Sequence, residues 1–326
     1  MTRVLSIVLC FAVSGTLFAQ GAVLRYSHPN APTSIAGMQA DYFAQKVKEY
    51  TKGALSVEVY PNSALGSLAE QAKLVSAGAI ALHHNTAAGI GSLFEDFAVL
   101  DTPFLYKDVD QLMRVVDPSS PVMVKLNEGL VKKSGVRVLY SFYFGARDLT
   151  CDRPIKRPDD LKGLKIRSVP FPIYQAAIEG MGAVPTPLDW AKTPTALSTK
   201  VVQGQENPVN TILAAKLYES QAYIMLTNHI LGAEIVVINE AVWKGLSKAV
   251  QDGVEKAAVE TGKYATKLTE DQEASDLAAL KAKGMKVIGA AEGLDLEAFR
   301  ASTKKVVDAR FGAAWADYYK AIASIK

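Results

Sequence analysis

The sequence offers few side chains for acid–base or metal chemistry, and its histidines show this most clearly. Only four occur: His28, His83, His84 and His229. His83 and His84 are adjacent, so on a β-strand they would point to opposite faces and could not bind one ion together. The chain also has no G-x-S-x-G elbow, no H-E-x-x-H motif and no P-loop. We therefore predict no catalytic residue, no metal site and no cofactor.

Two arginines and one asparagine beside predicted strands offer binding chemistry instead. Arg167 lies near a strand end, Arg147 follows another strand, and Asn207 precedes Pro208, which restricts Asn207 to an extended conformation. A guanidinium group is planar, permanently charged and able to donate two parallel hydrogen bonds to a carboxylate. On the residues alone, a ligand role for Arg167 and a solvated strand-end arginine are equally well supported.

Length and composition indicate a soluble protein of about two domains. The chain has 326 residues, 49% hydrophobic and 21% charged, and the mean hydropathy is +0.10. These values exclude a mainly disordered chain and a multi-span membrane protein, and two cysteines are too few for a disulfide-framed mini-protein. The 36 basic and 33 acidic residues form no cluster, so we expect no nucleic-acid partner.

Residues 1–19 are typical of a secretory signal peptide. Arg3 is followed by a mostly apolar run over 4–13 that is too short to span a membrane, and the segment ends at Ala19. Cleavage after Ala19 would leave Cys151 as a lone thiol, which we interpret as a small buried residue. The alternative is a retained lipid-type anchor at Cys10, which its place inside the apolar run disfavours.

The periodicity of apolar residues predicts alternating strands and helices. Strands are predicted over 23–27, 55–59, 136–140, 164–168 and 235–238, and helices over 35–50, 68–77 and 173–181. Asn239 is predicted to cap a helical stretch over 240–283, about 60 Å long at 1.5 Å per residue. The order predicts an α/β fold with a mostly parallel sheet, and the long helix should cross both domains.

Several ordered motifs resemble one family across nearly all of the chain that follows residue 19. The central motifs are KIRSVP (165–170), MGAVPTP (181–187) and GQENP (204–208), and YPN (60–62) and LDTPFL (100–105) precede them. Together they resemble the DctP-type extracytoplasmic solute-binding proteins of TRAP (tripartite ATP-independent periplasmic) transporters.

This resemblance implies two α/β lobes joined by crossing strands, with an interlobe cleft that closes over the ligand and a long helix spanning both lobes. The approximate domains are a first lobe over 20–144 plus 233–272 and a second over 145–232 plus 273–326. The implied function is periplasmic binding of an organic acid anion and its delivery to TRAP permease subunits, driven by an ion gradient. The alternatives are a ligand-sensing subunit of a membrane receptor and, less well supported, a secreted α/β enzyme.

The resemblance also implies the ligand-binding residues. It assigns the ligand carboxylate to Arg167, an assisting role to Arg147, and a further ligand contact to Asn207. Other predicted contacts are Glu70, Asn85 and Thr86, the last two in a loop after an apolar strand, with Phe144, Phe171 and Trp190 as pocket walls. Core packing explains each aromatic residue equally well, and a helix surface explains Glu70 equally well.

Lys192 departs from the family pattern, which commonly has glutamate there. This replacement changes the local charge by two units and makes an amine-bearing ligand doubtful. It favours a ligand with a second anionic or carbonyl group, so we include Lys192 among the predicted ligand-binding residues.

The signal peptide yields the first testable prediction. We expect the exported protein to begin near Gln20, because the processing site follows Ala19, and to carry a free thiol at Cys151. Intact-mass spectrometry of periplasmic protein checks both points. Exported protein that retains residues 1–19 would contradict the prediction.

Overall fold

The computed structural model describes residues 21–326, and local sequence signals set the ends of its first elements. Ser34 caps the first helix by accepting a hydrogen bond from the Gly37 N–H, and the chain turns away at Gly53 with a φ of 78°.

The strands are β1 (Ala22–Ser27), β2 (Leu55–Tyr60), β3 (Leu82–Thr86), β4 (Val136–Cys151), β5 (Lys165–Ser168), β6 (Val184–Pro187), β7 (Gly204–Pro208), β8 (Tyr223–Asn239) and β9 (Lys286–Ile288). The α-helices are α1 (Ile35–Tyr50), α2 (Leu68–Ser76), α3 (Ala87–Ile90), α4 (Val109–Val116), α5 (Pro121–Ser134), α6 (Pro172–Gly180), α7 (Thr193–Ser198), α8 (Val209–Ala214), α9 (Glu240–Gly245), α10 (Lys248–Ala282), α11 (Leu296–Phe311) and α12 (Ala316–Ser324).

Two long strands hold the described chain together. The sheet order is β2-β1-β3-β8-β4-β7-β5-β6, with β9 paired to the start of β8. Strands β4 and β8 have 16 and 17 residues and pair antiparallel from Val136↔Asn239 to Cys151↔Tyr223. They cross between two lobes, a first lobe containing β1–β3 and a second lobe containing β5–β7.

The strands of the two lobes end facing each other. Strand β3 is antiparallel to β8 and ends at Thr86, opposite Glu234, whereas β7 is antiparallel to β4 and ends at Pro208, opposite Arg147. Because β4 and β8 are also antiparallel, β3 and β7 run in opposite directions, and their carboxyl ends meet across residues 143–146 of β4. Ligands of α/β proteins bind outside the carboxyl ends of strands, so this gap is the candidate cleft.

Helix α10 spans both lobes. Its 35 residues extend about 52 Å at 1.5 Å per residue, and it packs on α1 of the first lobe and α8 of the second. The predicted two-lobed α/β fold with a long spanning helix is therefore confirmed. The predicted helix start was wrong, because the chain is extended at Leu246 and Ser247 caps a new helix, which leaves α9 as a separate short helix.

The strands predicted over 136–140 and 235–238 are only the first-lobe parts of β4 and β8. Helix α12 packs on α5, and its Tyr318 and Ile322 share a hydrophobic cluster with Leu126. The predicted domain boundaries stay a prediction.

The signal peptide predicted over 1–19, including Cys10, lies outside the described residues. From residue 21 onward, no helix combines the length and the apolarity that a membrane crossing requires. Cys151 is a fully buried free thiol in β4, and burial raises its pKa.

Gly145 occupies a position that other residues do not tolerate, and this yields a second prediction. Its φ is 123°, and an added Cβ would lie 2.6 Å from Cβ of Pro208. We expect Gly145→Ala to destabilise the protein by about 1–3 kcal/mol from backbone strain alone, with the clash adding to it. Urea denaturation followed by circular dichroism measures this change.

Gly245→Ala is the matched control. An added Cβ there meets nothing within 4 Å, and its φ is not positive, so stability should stay the same or rise slightly. Equal stability of the two alanine variants would contradict our account of the β4–β7 junction.

Candidate functional site

Arg167 is a buried cation without a protein counter-ion. Its side chain is 1% exposed, and its Nε donates a hydrogen bond to the Leu188 carbonyl oxygen at 2.9 Å. Its guanidinium carbon lies 5.8 Å from the ring centre of Trp190, and no carboxylate in the described part of the chain lies within 4 Å of its nitrogens. Burial lowers its pKa to about 10, so it stays charged at neutral pH. This charge is available to an anion.

Arg147, by contrast, already has a partner. Its Nη2 donates to Oε1 and to the backbone oxygen of Glu206, both at 2.9 Å, and its Nε donates to Oε2. His229 Nε2 lies 3.3 Å from the same Oε2. Burial opposes ionisation of Glu206, but the charge of Arg147 and the contact with His229 hold the pKa of Glu206 at about 2. Arg147 is thus the positive half of a buried ion pair, and its assisting role at the ligand stays a prediction.

Three predicted polar contacts lie at the carboxyl ends of strands. Asn207 is 4% exposed in β7 and donates through Nδ2 to Oε1 of Gln205 at 2.6 Å. Asn85 and Thr86 were predicted in a loop, but they are the last residues of β3 because they pair with Ile235 and Glu234 of β8. All three therefore border the gap between the lobes.

Asn85 and Thr86 also support the backbone there. Asn85 donates through Nδ2 to the Leu68 carbonyl oxygen at 3.2 Å, and Thr86 Oγ1 caps α3 by accepting from the Gly89 N–H. Part of each side chain's hydrogen-bonding capacity is thus used within the first lobe.

The three predicted aromatic walls fall into two groups. Phe144 and Phe171 are 4% and 6% exposed and belong to hydrophobic clusters, Phe144 with Phe142 and Phe171 with Tyr174. Trp190 instead stacks near Arg167 and lines a cavity. Both phenylalanines are packed in these clusters, Trp190 lines a cavity, and the ligand contacts of all three stay predictions.

The Trp190 cavity lies between the lobes and has a volume of about 300 Å³. Asn30, Ala31 and Ser34 contribute to it from the first lobe, and Trp190 and Thr211 contribute from the second. Trp190 lines this cavity and also lies 5.8 Å from the guanidinium of Arg167, which is itself not a lining residue. The lining of the cavity carries neutral polar groups, and no charged side chain is among them.

Glu70 and Lys192 are not among the residues that line this cavity, although Lys192 lies between its lining residues Ala191 and Pro194 in sequence. Glu70 is exposed, and its Oε2 accepts a hydrogen bond from the Ser67 N–H at 2.8 Å in a capping box at the start of α2. That hydrogen bond lowers the pKa of Glu70. Lys192 is exposed at the end of a one-turn helix. The structure gives neither residue a place beside Arg167, so their ligand contacts stay predictions.

Two buried acids at the cleft escaped the sequence analysis. Glu234 is 3% exposed at the last β3–β8 pair, and its Oε2 has no hydrogen-bond partner among residues 21–326. Burial, and secondarily the charge of Asp101, raise its pKa to about 8. Asp101 is 1% exposed and accepts from the Ala88 N–H at 2.7 Å, and burial raises its pKa to about 6. A charged residue inside the apolar stretch 230–238 was the signal that could have identified Glu234.

Two buried residues that adjoin predicted contacts also escaped notice. His28 is 1% exposed just after β1, and its ring stacks on His84 with centroids 4.8 Å apart. Ser168 is fully buried immediately after Arg167. Across residues 21–326, no three histidine, cysteine or acidic side chains are grouped so as to hold a metal ion.

The described chain thus has two α/β lobes whose strands end at a shared cleft. The family model of bacterial extracellular solute-binding proteins, family 7 (DctP), matches residues 26–313. The chain belongs to this family, which confirms the resemblance found in the sequence.

Individual relatives agree in length and fold. The chain is 31% identical over 277 residues to the C4-dicarboxylate-binding periplasmic protein DctP of Rhodobacter capsulatus, covering 85% of this chain and 82% of that protein. It is 32% identical over 277 residues to the 2,3-diketo-L-gulonate-binding periplasmic protein YiaO of Escherichia coli K12, with 85% and 83% covered. A TRAP periplasmic solute-binding protein of Roseobacter denitrificans with bound L-galactonate superposes with a TM-score of 0.86 at 28% identity, covering 94% of this chain and 99% of that one.

The buried acids yield a third prediction, on stability against pH. Folding raises the pKa of Glu234 from 4.5 to about 8, so the folded state holds this proton more tightly than the unfolded state. The resulting stability is fully present below pH 4.5 and is lost as the pH rises through about 8. Burial lowers the pKa of His28, His83 and His84, so these residues change stability only below the usual pKa of histidine. Between pH 7 and pH 9 we therefore expect the melting temperature of the ligand-free protein to fall, and to fall less in Glu234→Gln.

The fall of the melting temperature with rising pH should not vanish in Glu234→Gln, because burial also raises the pKa of Asp148 to about 7. Glu58 is an exposed glutamate of β2, so Glu58→Gln is the control, and its melting temperature should vary with pH as in the wild type. Identical slopes in Glu234→Gln and wild type would refute the assignment.

Proposed function

We propose that the protein binds a small organic acid anion in the interlobe cleft, with Arg167 holding the carboxylate, and delivers it to a TRAP-type membrane transporter. The observation that carries this proposal is the buried guanidinium of Arg167, which has no protein counter-ion. A buried charge is costly unless an opposite charge lies beside it, so the site favours an anion. A carboxylate matches the planar group because it accepts two parallel hydrogen bonds.

Closure of the lobes is part of this proposal. Arg167 and Trp190 belong to the second lobe, whereas Asn30 and Ser34 reach the adjoining cavity from the first. A ligand between them contacts both sides only when the lobes are together, so its binding energy favours the closed state. The crossing strands β4 and β8 and helix α10 are the segments that must bend.

The comparisons support the ligand class and the setting. The relatives named above bind a C4-dicarboxylate, 2,3-diketo-L-gulonate and L-galactonate, all of which are organic acid anions. All three relatives are named as periplasmic binding proteins, and the third also as a TRAP protein. For this chain we infer a periplasmic location, binding without chemistry, and membrane permease subunits as partners.

The different states of the two buried arginines yield a fourth prediction. We expect Arg167→Met to weaken carboxylate binding by about 2–5 kcal/mol, or roughly 30- to 5,000-fold. Its ligand-free stability should be unchanged or higher, because an unpaired buried charge is removed. Arg167→Lys keeps the charge without the two-pronged geometry and should bind with intermediate affinity. Isothermal titration calorimetry gives the affinities and thermal unfolding gives the stabilities.

Arg147→Met should instead lower the stability of the ligand-free protein. It leaves Glu206 buried without its partner, which typically costs about 3–5 kcal/mol of stability. Arg153→Met, at a half-exposed arginine beyond β4, is the control and should change neither quantity. Near-native affinity in Arg167→Met would remove the central contact of the proposed function.

A further inference from the structure

The outer face of helix α10 carries an exposed apolar residue between two charges that have no partner. Val259 is 58% exposed, and Glu255 and Lys263 lie about one turn before and one turn after it, both exposed. In the described part of the chain neither of them takes part in an ion pair, whereas Lys248 of the same helix pairs with Asp252. A single exposed valine is ordinary on a protein surface, and what distinguishes this one is the order of the charges around it.

The charges on either side of Val259 are self-complementary. Residues three, four, seven and eleven positions apart share one face of a helix, and the outer stripe of α10 is formed in this way by Lys248, Glu255, Val259, Lys263 and Glu270. Glu255 and Lys263 are each four residues from Val259, and Lys248 and Glu270 are each eleven residues from it. At both distances an acid on one side of Val259 corresponds to a base on the other.

This order fits a second copy of α10 that lies antiparallel about a two-fold axis through Val259. Glu255 of each copy then faces Lys263 of the other, and this ion pair occurs twice because a two-fold interface uses the same surface on both subunits. The two Val259 side chains meet at the axis. A parallel arrangement would place Glu255 against Glu255 and Lys263 against Lys263, and such like-charge contacts disfavour it.

A groove beside the stripe gives the second helix room to approach. A cavity of about 350 Å³ lies between α10, α4 and β4, and Val259 and Lys263 are among its lining residues. Half-buried Met113 of α4 and Leu139 of β4 contribute apolar walls to it. Side chains of a second α10 would fill this groove, so the contact buries apolar area as well as matching charges.

The stripe lies over the first lobe. Tyr42 and Tyr50 of α1 both donate hydrogen bonds to Glu260, one residue after Val259. Helix α10 reaches the second lobe further along, where Leu277 lines a cavity with Val209 of α8. A dimer formed through the stripe therefore joins two first lobes and leaves both second lobes free to move.

We propose that two copies of this protein associate through the outer face of α10, antiparallel about Val259, with Glu255 of each copy paired to Lys263 of the other. The partner is a second copy because the charge order of the stripe is complementary to itself. Exposed ion pairs contribute little free energy each, so the dimer is a weak one that depends on protein concentration. The dimer is independent of the acid that the cleft binds.

Charge exchange at the two facing positions tests this proposal. Sedimentation velocity of the mature protein over about 1–300 µM should show wild type passing from monomer to dimer. Glu255→Lys and Lys263→Glu each place like charges in contact twice, so each should raise the dissociation constant of the dimer about tenfold or more. The double variant Glu255→Lys, Lys263→Glu should restore the dimer, because the exchanged charges again face their opposites. Lys305→Glu, at an exposed lysine of α11, is the control and should dimerise as wild type does.

Cysteine cross-linking tests the position of the axis. Under mild oxidation Val259→Cys should form a disulfide-linked dimer, whereas Val124→Cys, at an exposed valine of α5, should stay monomeric. The native Cys151 is buried and does not compete.

Three results would overturn the proposal. They are wild-type protein that stays monomeric over the whole concentration range, a double charge variant that dimerises no better than the single variants, and equal cross-linking of the two cysteine variants. Both single charge variants should retain wild-type affinity for the acid, so loss of the dimer is distinguishable from failure of the proposed function.

Discussion

Of the two guanidinium groups buried at the cleft, only that of Arg147 lies against a carboxylate, and this imbalance between Arg147 and Arg167 governs the rest of the site. Glu206 holds Arg147 in a bidentate pair, so that arginine belongs to the scaffold. Arg167 has only a carbonyl oxygen and the face of Trp190 beside it. A protein tolerates such a residue when surrounding structure fixes it in place, and the missing negative charge then becomes a requirement placed on the ligand.

The architecture explains why the imbalance occurs where it does. Strands β4 and β8 run through both lobes, so the carboxyl ends of the two sets of shorter strands meet at one level of the sheet. Arg167 and Asn207 lie near the carboxyl ends of β5 and β7, and Glu234 lies on β8 opposite the last residue of β3. All three side chains are buried there.

Much of the fold was predictable from the sequence, because local signals determine it. Ser34 and Gly53 mark the ends of α1, and apolar periodicity identifies the long helix. The full lengths of β4 and β8 were not predictable, because buried charges such as Arg147 and Glu234 interrupt their apolar pattern. Arg147 is accommodated by Glu206, a partner distant in sequence, and spacing along the chain contains no record of such a contact.

The site was predictable in its anchor and not in its surroundings. The motif around Arg167 identified a candidate cation, and the fold adds that Arg147 is already paired with Glu206, which its position beside a strand does not reveal. Lys192 attracted attention through its charge, yet it is exposed, whereas the neutral-looking positions His28 and Ser168 are buried at the cleft. Burial, which depends on the tertiary fold, decides which polar groups meet a ligand.

The most direct test of this account is a crystal structure of the mature protein with its tightest-binding acid. We predict that both carboxylate oxygens accept hydrogen bonds from the terminal nitrogens of Arg167, while Arg147 remains paired with Glu206. A carboxylate bound by Arg147 with Glu206 displaced, or one that makes no contact with Arg167, would contradict it.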